Sequence, residues 1–340
     1  MTMTRTLLQE RLISIVKRFP QRRMLVVGDA IADQFVYGAI SRVSREAPVL
    51  ILHHEQTETV PGGAANCAMN LVSLGARVSL VGVAGEDTAG RALVETLKTA
   101  GIDCSGLLVS EEIQTTTKVR ILAGQLHSTR QQVIRLDYEG GALNSGDLRE
   151  RLRESVAEAG KSSDAVIISD YNYGVVDAEL GATIRDATAT RRVPVLVDSR
   201  FRLSSFPGFT SATPNEDEVE QLLGKHFVAI QDLEAAGEQM REQLGYRALL
   251  TTLGSNGMLL FEEGVAPQHI AAVGSRDPVD VTGAGDTVIA TYALALASDA
   301  SFSDAARLAN YAGGLVVMKR GTASITTDEL KNSVLHSETS

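Results

Sequence analysis

The sequence predicts an α/β fold built on a parallel sheet, with a small β segment projecting from it. Short apolar runs end in polar turns, as residues 24–28 do before Asp29, and such runs are typical of buried parallel strands. Beyond residue 147, strand-like and helix-like segments alternate, as expected for βαβ units. Residues 35–57 and 113–137 instead have β-rich patterns without helical spacing, which predicts the projecting segment.

The composition argues against several classes of protein. With 340 residues, 44% hydrophobic and 22% charged, the chain can bury a large core, and no low-complexity linker divides it. A net charge of −10 argues against a nucleic-acid partner or an anionic membrane surface. Two cysteines are too few for a disulfide framework, and no apolar run approaches the roughly 20 residues that span a bilayer. We therefore expect a cytoplasmic protein.

The chain is expected to form one main domain with a short addition at each end. Residues 1–20 have apolar side chains at helical spacing, interrupted by charges that argue against a signal peptide. They predict an amphipathic helix packed on the body or on a partner subunit. The main domain is assigned to residues 21–330 and a C-terminal tail to residues 331–340.

Two carboxylates follow the first predicted strand. Asp29 and Asp33 are four residues apart, just past residues 24–28, and ligands of open α/β sheets bind beyond the carboxyl ends of the strands. The pair therefore suits recognition of hydroxyl groups on a polyol. A turn residue followed by a solvated acid is the alternative. The lack of G-x-G-x-x-G argues against a dinucleotide cofactor.

A second candidate segment follows the first β-rich stretch. Gly62 and Gly63 lead into a predicted helix of small residues, and Asn66 lies on its first turn. Small side chains let a helix N-terminus approach a ligand, and the Asn66 amide can donate to and accept from sugar hydroxyls. The alternative is a helix that needs small residues for close packing.

The two β-rich stretches, 35–57 and 113–137, are expected to form a lid. Lys118, Arg120 and Arg135 place three cations in it, although the protein is acidic overall. Lys118 and Arg120 have the same strand parity and therefore point to one face. They suit a clamp on a phosphate that the substrate already carries. Cations on edge strands also serve solubility alone, and that alternative stays open.

The second half of the chain predicts parallel strands at 165–169 and 193–198, followed by a candidate metal segment. Asn215 and Glu218 begin a helix after Pro214, share one face of it, and are candidates to hold Mg²⁺ or its water shell. The same spacing is equally consistent with ordinary helix capping.

Two further segments are candidates for binding a nucleotide. Thr252, Gly254 and Gly257 lie at a turn after a strand-like run that begins at residue 249, and they suit contacts with phosphates or ribose. Asn310 lies in a predicted helix at 304–319 that also contains glycines at 313 and 314. Such small residues allow the helix to approach a flat adenine ring.

The segment Asp280-Val-Thr-Gly-Ala-Gly-Asp286 carries the predicted chemistry. It follows a strand-like run at 269–273 and opens a predicted helix at 287–297, so the N–H groups of Gly283, Ala284 and Gly285 suit an anion. A carboxylate close to a bound phosphate is electrostatically unfavourable, so its presence there suggests a catalytic function. We expect Asp286 to take a proton from an attacking hydroxyl. An ordinary loop with an acidic first turn is the alternative.

Four motifs, in this order, resemble the ribokinase-like (PfkB) family of carbohydrate kinases over roughly residues 22–325. They are residues 61–66 (Pro-Gly-Gly-Ala-Ala-Asn), 85–90, 213–218 and 280–287. The resemblance implies a three-layer α/β/α sandwich whose central sheet has eight to nine mostly parallel strands. It also implies a β lid that often forms the contact of a homodimer, with ATP and Mg²⁺ as cofactors. By the same resemblance, Thr282 and Gly285 contact ATP, and Asp280 with neighbouring carbonyls is a candidate site for a monovalent cation such as K⁺.

Within this family, residues 41–49 (Ser-Arg-Val-Ser-Arg-Glu-Ala-Pro-Val), 135–137 and 169–171 resemble the kinases of D-glycero-β-D-manno-heptose 7-phosphate. The resemblance implies phosphorylation of the anomeric hydroxyl. That group usually has a lysine near Tyr173 and a Pro-Lys pair after Asp198, whereas this chain has Ser199-Arg200 there. Arg200 is a candidate replacement for one of these cations.

Other functions stay open at this point. A ribokinase, a ketodeoxygluconate kinase or a nucleoside kinase would share the same motifs, and so would a non-catalytic sugar-binding protein on the same fold. The presence of Asp286 argues against the last, because a pure binder needs no base. The sequence contains no H-x-G-H motif, so we expect no nucleotidyl transfer.

Overall fold

A computed structural model describes residues 2–124, 130–141, 143–274 and 277–336. The strands of this part of the chain are β1 (Arg23–Gly28), β2 (Ala30–Val43), β3 (Leu50–Gly63), β4 (Arg77–Gly85), β5 (Leu107–Ser110), β6 (Thr117–Gly124), β7 (Gln131–Tyr138), β8 (Ala165–Asp170), β9 (Val195–Ser199), β10 (Ser211–Ala212), β11 (Ala248–Thr252), β12 (Met258–Glu262) and β13 (Val265–Ile270). The α-helices are α1 (Thr2–Val16), α2 (Ala64–Ser73), α3 (Thr88–Thr99), α4 (Gly146–Gly160), α5 (Ala178–Ala189), α6 (Glu216–Leu223), α7 (Ile230–Leu244), α8 (Ala284–Ala297), α9 (Phe302–Val316) and α10 (Thr327–His336).

The central sheet has nine strands within the described residues, in the order β13-β12-β11-β10-β9-β8-β1-β4-β5. Neighbouring strands from β11 to β5 run parallel, whereas β11–β12 and β12–β13 are antiparallel. The carboxyl ends of β1, β8 and β9 therefore meet at one edge. This arrangement places Asp29, Asp170 and Asp198 close together in the fold.

Alternate residues of the central strands enter two separate apolar cores. In β1, Met24 and Val26 pack in the core that holds α2, α8 and α9, whereas Leu25 and Val27 pack in the core that holds α4, α5 and α7. Helices therefore cover both faces of the sheet, which is the usual arrangement of a parallel sheet. The predicted three-layer α/β/α sandwich is confirmed.

The lid is a separate four-stranded sheet within the described residues, in the order β3-β2-β6-β7. Its longest contact is the antiparallel pair β2–β3, and β6 lies parallel to β2 on the other side. The predicted lid segments form β-strands, as expected, but strands β2 and β3 extend beyond the predicted bounds, toward the central sheet. The chain turns at Asp29 directly into β2, so Asp33 lies inside a lid strand. Residues 125–129 of the predicted lid lie outside the described part.

Helix α1 packs on the body against α10. Leu12 and Val16 are buried, and the Gln9 side-chain amide donates to the carbonyl oxygen of Val334 at 2.9 Å. The predicted N-terminal helix is therefore present. Residues 331–336 of the predicted C-terminal tail belong to α10, and apolar side chains of this helix pack into the core. The last four residues of that predicted tail lie outside the described part.

Several elements differ from the sequence prediction. Helix α7 was not identified, because charged residues separate its few buried apolar positions. Strand β10 has two residues, too few to produce a pattern. The helix predicted at 304–319 ends at Val316, and the strand predicted at 269–273 ends at Ile270. Among the described helices, none has the length and apolar character needed to cross a membrane.

Candidate active site

Asp286 lies on the first turn of α8 and is 3% exposed. One carboxylate oxygen accepts a hydrogen bond from the Tyr171 hydroxyl at 2.9 Å, and the other accepts from the Asn66 side-chain amide at 2.7 Å. Burial raises the pKa of Asp286 to about 6, although both hydrogen bonds oppose that rise. The carboxylate is therefore mostly ionised at neutral pH, with a pKa suited to a general base.

The loop before α8 has the open backbone that the sequence predicted. Gly283 has a φ of 75°, and a Cβ atom there would lie 2.6 Å from the Asn66 side chain. Gly285 faces open space, since a Cβ atom there would meet no atom within 4 Å. The expectation for Ala284 needs correction, because its N–H donates to the carbonyl oxygen of Val281 at 3.2 Å. The N–H groups of Gly283 and Gly285 remain the candidates for binding an anion.

Asn66 contacts the candidate base. Its Nδ2 donates to Asp286, and its Oδ1 accepts from Asn70 Nδ2 at 3.2 Å. Both ends of the amide thus have a protein partner, and the contact with sugar hydroxyls stays a prediction. Asn70 also accepts a hydrogen bond from the Thr287 hydroxyl at 2.8 Å, which ties α2 to α8.

Gly62 and Gly63 are needed for close packing. A Cβ atom at Gly62 would lie 2.4 Å from Asp33 Oδ2, and one at Gly63 would lie 2.6 Å from the backbone oxygen of Asp29. Gly63 also has a φ of 56°, which other residues rarely adopt. The structure thus supports the packing alternative for both glycines and places Gly62 beside the Asp33 carboxylate.

Asp29 organises the loop that follows β8. Its carboxylate accepts three backbone N–H groups, from Tyr171 at 2.8 Å, Tyr173 at 3.1 Å and Val175 at 3.2 Å. Burial raises the pKa of Asp29, and these hydrogen bonds oppose the rise. The carboxylate fixes the loop, and its role in binding sugar hydroxyls stays a prediction.

Asp33 and three cations share one face of the lid. Asp33 lies opposite Lys118 in the β2–β6 pairing and forms a buried ion pair with Arg120. Arg120 in turn lies directly opposite Arg135 in the β6–β7 pairing, and Arg135 Nε donates to Asp137 at 2.7 Å. Like charges directly opposite each other repel, so this face suits an additional anion.

Two tyrosines and a fourth cation complete this surface. The Lys118 ammonium lies 5.1 Å from the centroid of the Tyr171 ring and 5.7 Å from that of Tyr173. Burial lowers the pKa of Lys118, whereas the Asp33 carboxylate raises it. The Arg200 guanidinium lies 6.0 Å from the Tyr171 centroid, so this residue lies beside the lid cations. We call Lys118, Arg120, Arg135 and Arg200 the cation cluster.

Carboxylates on the other side of Asp286 raise one another's pKa. Burial, followed by the charges of Glu218, Asp286 and Asp170, raises the pKa of Asp198 well above its ordinary value. Burial also raises the pKa of Glu218, although hydrogen bonds from Asn215 oppose this. Mutual repulsion of this kind is relieved by a bound divalent cation.

Asn215 and Glu218 form a reciprocal capping box at the start of α6. Asn215 Oδ1 accepts from the Glu218 N–H at 2.8 Å, and the Glu218 carboxylate accepts from the Asn215 N–H at 2.9 Å. The capping alternative is therefore confirmed. Across the described ranges, no three acidic, His or Cys side chains converge to hold a metal directly. The donor set fits Mg²⁺ held through water and substrate phosphates.

A pocket lined mainly by small and apolar residues opens beside the N-terminus of α8. Five residues predicted to contact a nucleotide line it together: Thr252, Gly254, Gly257, Gly285 and Asn310. The pocket wall also includes Met258, Val273, Val288, Gly313, Gly314 and Val317. A flat apolar ring fits such a lining, and Gly285, which directly precedes Asp286 in the chain, is one of the lining residues.

Asn310 has a structural hydrogen bond within this pocket. Its Nδ2 donates to the carbonyl oxygen of Ala271 at 2.7 Å, so the amide nitrogen fixes the pocket wall. Thr252 joins Asn215 in a short parallel bridge, which brings the α6 capping box to the pocket rim. The predicted nucleotide and magnesium residues are therefore neighbours.

Asp280 and Thr282 lie in the loop that leads to α8. The Asp280 carboxylate accepts the N–H of Thr282 and the N–H of Gly321, each at 2.9 Å. Burial raises the pKa of Asp280, but these hydrogen bonds outweigh that effect. The net pKa is lowered, so the group stays ionised. An ionised carboxylate fits the predicted monovalent cation, and Asp280 also joins two segments of the chain.

The sequence did not identify Tyr171 and Asp198 as site residues, although both occur in motifs discussed above. Each is found at the carboxyl end of a central parallel strand, β8 or β9. That position is the available sequence signal, because ligands of parallel sheets bind at this edge. Their hydrogen bonds and charges could not be inferred without the packing of α8 against the sheet.

The sequence profile described as pfkB family carbohydrate kinase matches residues 21–329. Curated relatives include the Bifunctional protein HldE of Edwardsiella ictaluri, which is 40% identical over 322 residues, 93% of this chain and 64% of the relative. The Bifunctional protein HldE of Alcanivorax borkumensis is 40% identical over 325 residues, 94% of this chain and 65% of the relative. The chain thus spans slightly less than two thirds of the length of these relatives.

Solved structures share the fold at lower sequence identity. Ribokinase from Arabidopsis thaliana, complexed with ribose and ATP, matches with a TM-score of 0.72 and 22% identity, over 92% of this chain and 98% of that one. Phosphofructokinase-2 from Escherichia coli, in complex with potassium, matches with a TM-score of 0.76 and 20% identity, over 93% of this chain and 99% of that one. The fold is therefore ribokinase-like.

Proposed function

The chain belongs to the pfkB family of carbohydrate kinases, and we propose that it transfers the γ-phosphoryl group of ATP to a sugar that already carries a phosphate. The specific acceptor that we propose is D-glycero-β-D-manno-heptose 7-phosphate, with the 1,7-bisphosphate as the product. The observation that carries this proposal is the position of the buried Asp286 carboxylate, with the nucleotide pocket on one side and the cation cluster on the other.

The proposed acceptor follows from the charges on the lid. Lys118, Arg120 and Arg135 share the lid face that also carries Asp33, and Lys118 contributes to the electrostatic environment of Asp286. A phosphate on the acceptor would neutralise the repulsion between the opposed arginines, and Arg200 would add a fourth cation. The resemblance of residues 41–49 to the heptose 7-phosphate kinases supports this acceptor over other phosphosugars.

The reaction requires one proton transfer and one phosphoryl transfer. Asp286 takes the proton of the acceptor hydroxyl, whose oxygen forms a bond to the γ-phosphorus while the bond to the bridging oxygen breaks and ADP leaves. The N–H groups of Gly283 and Gly285 stabilise the charge on the transferring group. A well-placed donor of this kind typically contributes about 3–4 kcal/mol.

The pocket beside α8 fits ATP, and the acidic residues next to it fit Mg²⁺. The glycines of the pocket admit a ring, and we assign contacts with the phosphates to Thr252 and Gly254, which line the same pocket. Glu218 and Asn215 would hold water molecules of the Mg²⁺ shell, and the ion would neutralise charge on the ATP phosphates. Asp280 would hold a monovalent cation beside the same loop.

We include a homodimer through the β lid in the proposal. The side of β7 opposite Arg135 exposes three apolar side chains, Ile134, Leu136 and Tyr138, at 49%, 42% and 47%. An exposed apolar row on a sheet favours pairing with a second surface. A second copy of the chain would cover it and leave the cation cluster facing the substrate.

The test is ADP release with Mg-ATP across a panel of acceptors. The panel holds heptose 7-phosphate, sedoheptulose 7-phosphate, fructose 6-phosphate, ribose and ketodeoxygluconate. Turnover with heptose 7-phosphate at least tenfold above all others supports the proposal. Turnover restricted to unphosphorylated sugars would contradict the assigned role of the cation cluster, and background ADP release with every acceptor would contradict the kinase assignment.

A further inference from the structure

Tyr171 contacts both halves of the site, and no reaction step described so far uses it. Building on the proposed role of Asp286 as base, we propose that Tyr171 is a positioning residue. Its hydroxyl fixes one oxygen of the Asp286 carboxylate and sets the pH range over which that base is ionised.

The geometry around Asp286 supports this role. The Tyr171 hydroxyl donates to Oδ1 at 2.9 Å, and the Asn66 amide donates to Oδ2 at 2.7 Å. Each donor occupies one lone pair of its oxygen, and a carboxylate has about four acceptor positions. The carboxylate is therefore fixed in orientation, and it retains capacity to accept the proton of a sugar hydroxyl.

Tyr171 is itself held in place by the sheet edge. Its backbone N–H donates to Asp29 at 2.8 Å, and the next N–H, of Asn172, donates to Asp170 at 3.1 Å. Asn172 has a φ of 66°, an uncommon conformation that turns the chain immediately after the tyrosine. Asp29 thus acts on the base indirectly, by fixing the residue that contacts it.

The ring of Tyr171 faces the cation cluster. Lys118 and Arg200 lie 5.1 Å and 6.0 Å from its centroid, distances typical of cation–π contacts. Their attraction for the ring fixes its plane, while the hydroxyl at the ring edge reaches the base. One side chain therefore joins the surface expected to hold the substrate phosphate to the group expected to take the proton.

The surroundings of the base define the expected pH effect. The polar and titratable groups that face Asp286 are Asp33 on β2, Asn66 and Cys67 on α2, Lys118 on β6, Tyr171 after β8 and Asp198 on β9. Asp33 raises the pKa of Asp286, whereas Lys118 and the Tyr171 hydrogen bond lower it. Burial raises the pKa of Tyr171 well above its ordinary value, so its hydroxyl stays protonated and can donate throughout the assay range.

The variant that tests the inference is Tyr171→Phe, which keeps the ring and removes the hydroxyl. We expect the acidic limb of the kcat–pH profile to move upward by about half a unit to one unit, since one neutral hydrogen bond is lost. Turnover then falls several-fold near pH 6 and changes little at pH 8. Tyr246→Phe is the control, because it also removes a buried tyrosine hydroxyl, one that donates to the carbonyl oxygen of Phe206 at 2.6 Å instead of to Asp286.

A second measurement does not depend on turnover. The carboxyl carbon of Asp286 is titrated by ¹³C NMR, with its resonance assigned from Asp286→Asn. An upward shift of the Asp286 pKa in Tyr171→Phe, with none in Tyr246→Phe, supports the inference even if no acceptor is phosphorylated. Lack of phosphorylation would contradict only the proposed function. An unchanged Asp286 titration, or an equal loss of turnover at every pH, would overturn the inference.

Discussion

At the scale of single residues, the properties of Asp286 follow from its burial and its two neutral donors. A buried carboxylate without a cation in direct contact keeps a raised pKa, and here that value is about 6. The hydrogen bonds from Asn66 and Tyr171 limit the rise and fix the orientation. The result is a carboxylate that is ionised at neutral pH and, with a pKa of about 6, still able to take a proton.

Replacement of Asp286 by Asn tests the assignment of the base. We expect kcat to fall at least about 100-fold, because a general base typically contributes that much or more. The dissociation constant for ATP, measured by calorimetry, should stay within about twofold of the original value, because the nucleotide pocket is unchanged. Asp147→Asn, in the exposed first turn of α4, serves as a control. A kcat within tenfold of the original would show that Asp286 is not the base.

The pH dependence of kcat follows from the same carboxylate. A protonated Asp286 cannot accept the acceptor's proton, so kcat should fall about tenfold per pH unit below its pKa of about 6. The measurement uses saturating substrates, because kcat reports groups in the complex and a substrate phosphate also titrates near this range. A kcat that stays constant down to pH 5 would contradict the assignment.

The sequence placed Asp286, Gly283 and Gly285 together at the start of a helix, and the structure has them at the N-terminus of α8, because their arrangement depends on neighbours in the chain. It assigned Asn66 and Asp29 to sugar hydroxyls, and the structure shows protein partners for both. Of these partners, Asp286 and Tyr171 lie more than 100 residues away in the chain. Residue types at a sheet edge therefore predict where a site forms, whereas the role of each side chain depends on long-range packing.

At the scale of secondary-structure elements, the lid presents different chemistry on its two faces. Strand alternation places Lys118, Arg120 and Arg135 on one face and apolar residues on the other. The sequence predicted the shared face of Lys118 and Arg120 from parity alone. The start of β2 at Ala30 could not be predicted, because the turn at Asp29 is stabilised by hydrogen bonds from the distant segment after β8.

Lys118→Ala tests the proposed binding of the substrate phosphate by this face of the lid. We expect the KM for the phosphosugar to rise about tenfold or more, since a charge-assisted contact is lost. The KM for ATP should change less than about twofold, because the nucleotide pocket lies on the other side of Asp286. Lys161→Ala removes an exposed lysine that pairs with Glu158 and provides the control. Equal changes in the KM for the phosphosugar and the KM for ATP would contradict the assignment of this lid face to the substrate phosphate.

Two helix glycines give a stability test of the packing. A Cβ atom at Gly237 in α7 would lie 2.3 Å from the Phe261 ring, whereas one at Gly181 in α5 would lie 3.7 Å from Phe206. Gly237→Ala should lower the free energy of unfolding by about 1–3 kcal/mol through overpacking. Gly181→Ala should raise it by up to about 1 kcal/mol through helix propensity. If denaturant unfolding shows that the free energy of unfolding changes in the same direction in both variants, this packing is contradicted.

At the scale of the whole molecule, the order of four short motifs was sufficient to predict the three-layer sandwich. Each motif lies where a strand or loop meets a helix, and the parallel sheet brings these junctions to one edge. The two apolar cores and the nine-stranded order of the described sheet required the structure, because many strand orders satisfy the same local patterns.

The proposed dimer is a prediction at this scale. Ile134→Lys places a charge in the exposed apolar row of β7, and we expect it to convert a lid-mediated dimer to a monomer in sedimentation velocity experiments. Val265→Lys, at an exposed apolar position on edge strand β13, should leave the dimer intact. A monomeric original protein, or a dimer that tolerates Ile134→Lys as well as Val265→Lys, would contradict an interface through this face.

The most direct test of the central claim is ³¹P NMR, with mass spectrometry, of the product formed from Mg-ATP and heptose 7-phosphate. The proposed mechanism predicts one added phosphoryl group per sugar, attached to the anomeric oxygen, with ADP formed in equal amount. It also predicts that Asp286→Asn forms this product at most at about a hundredth of the rate. An unmodified sugar, or a second phosphate on another hydroxyl, would contradict the proposed reaction.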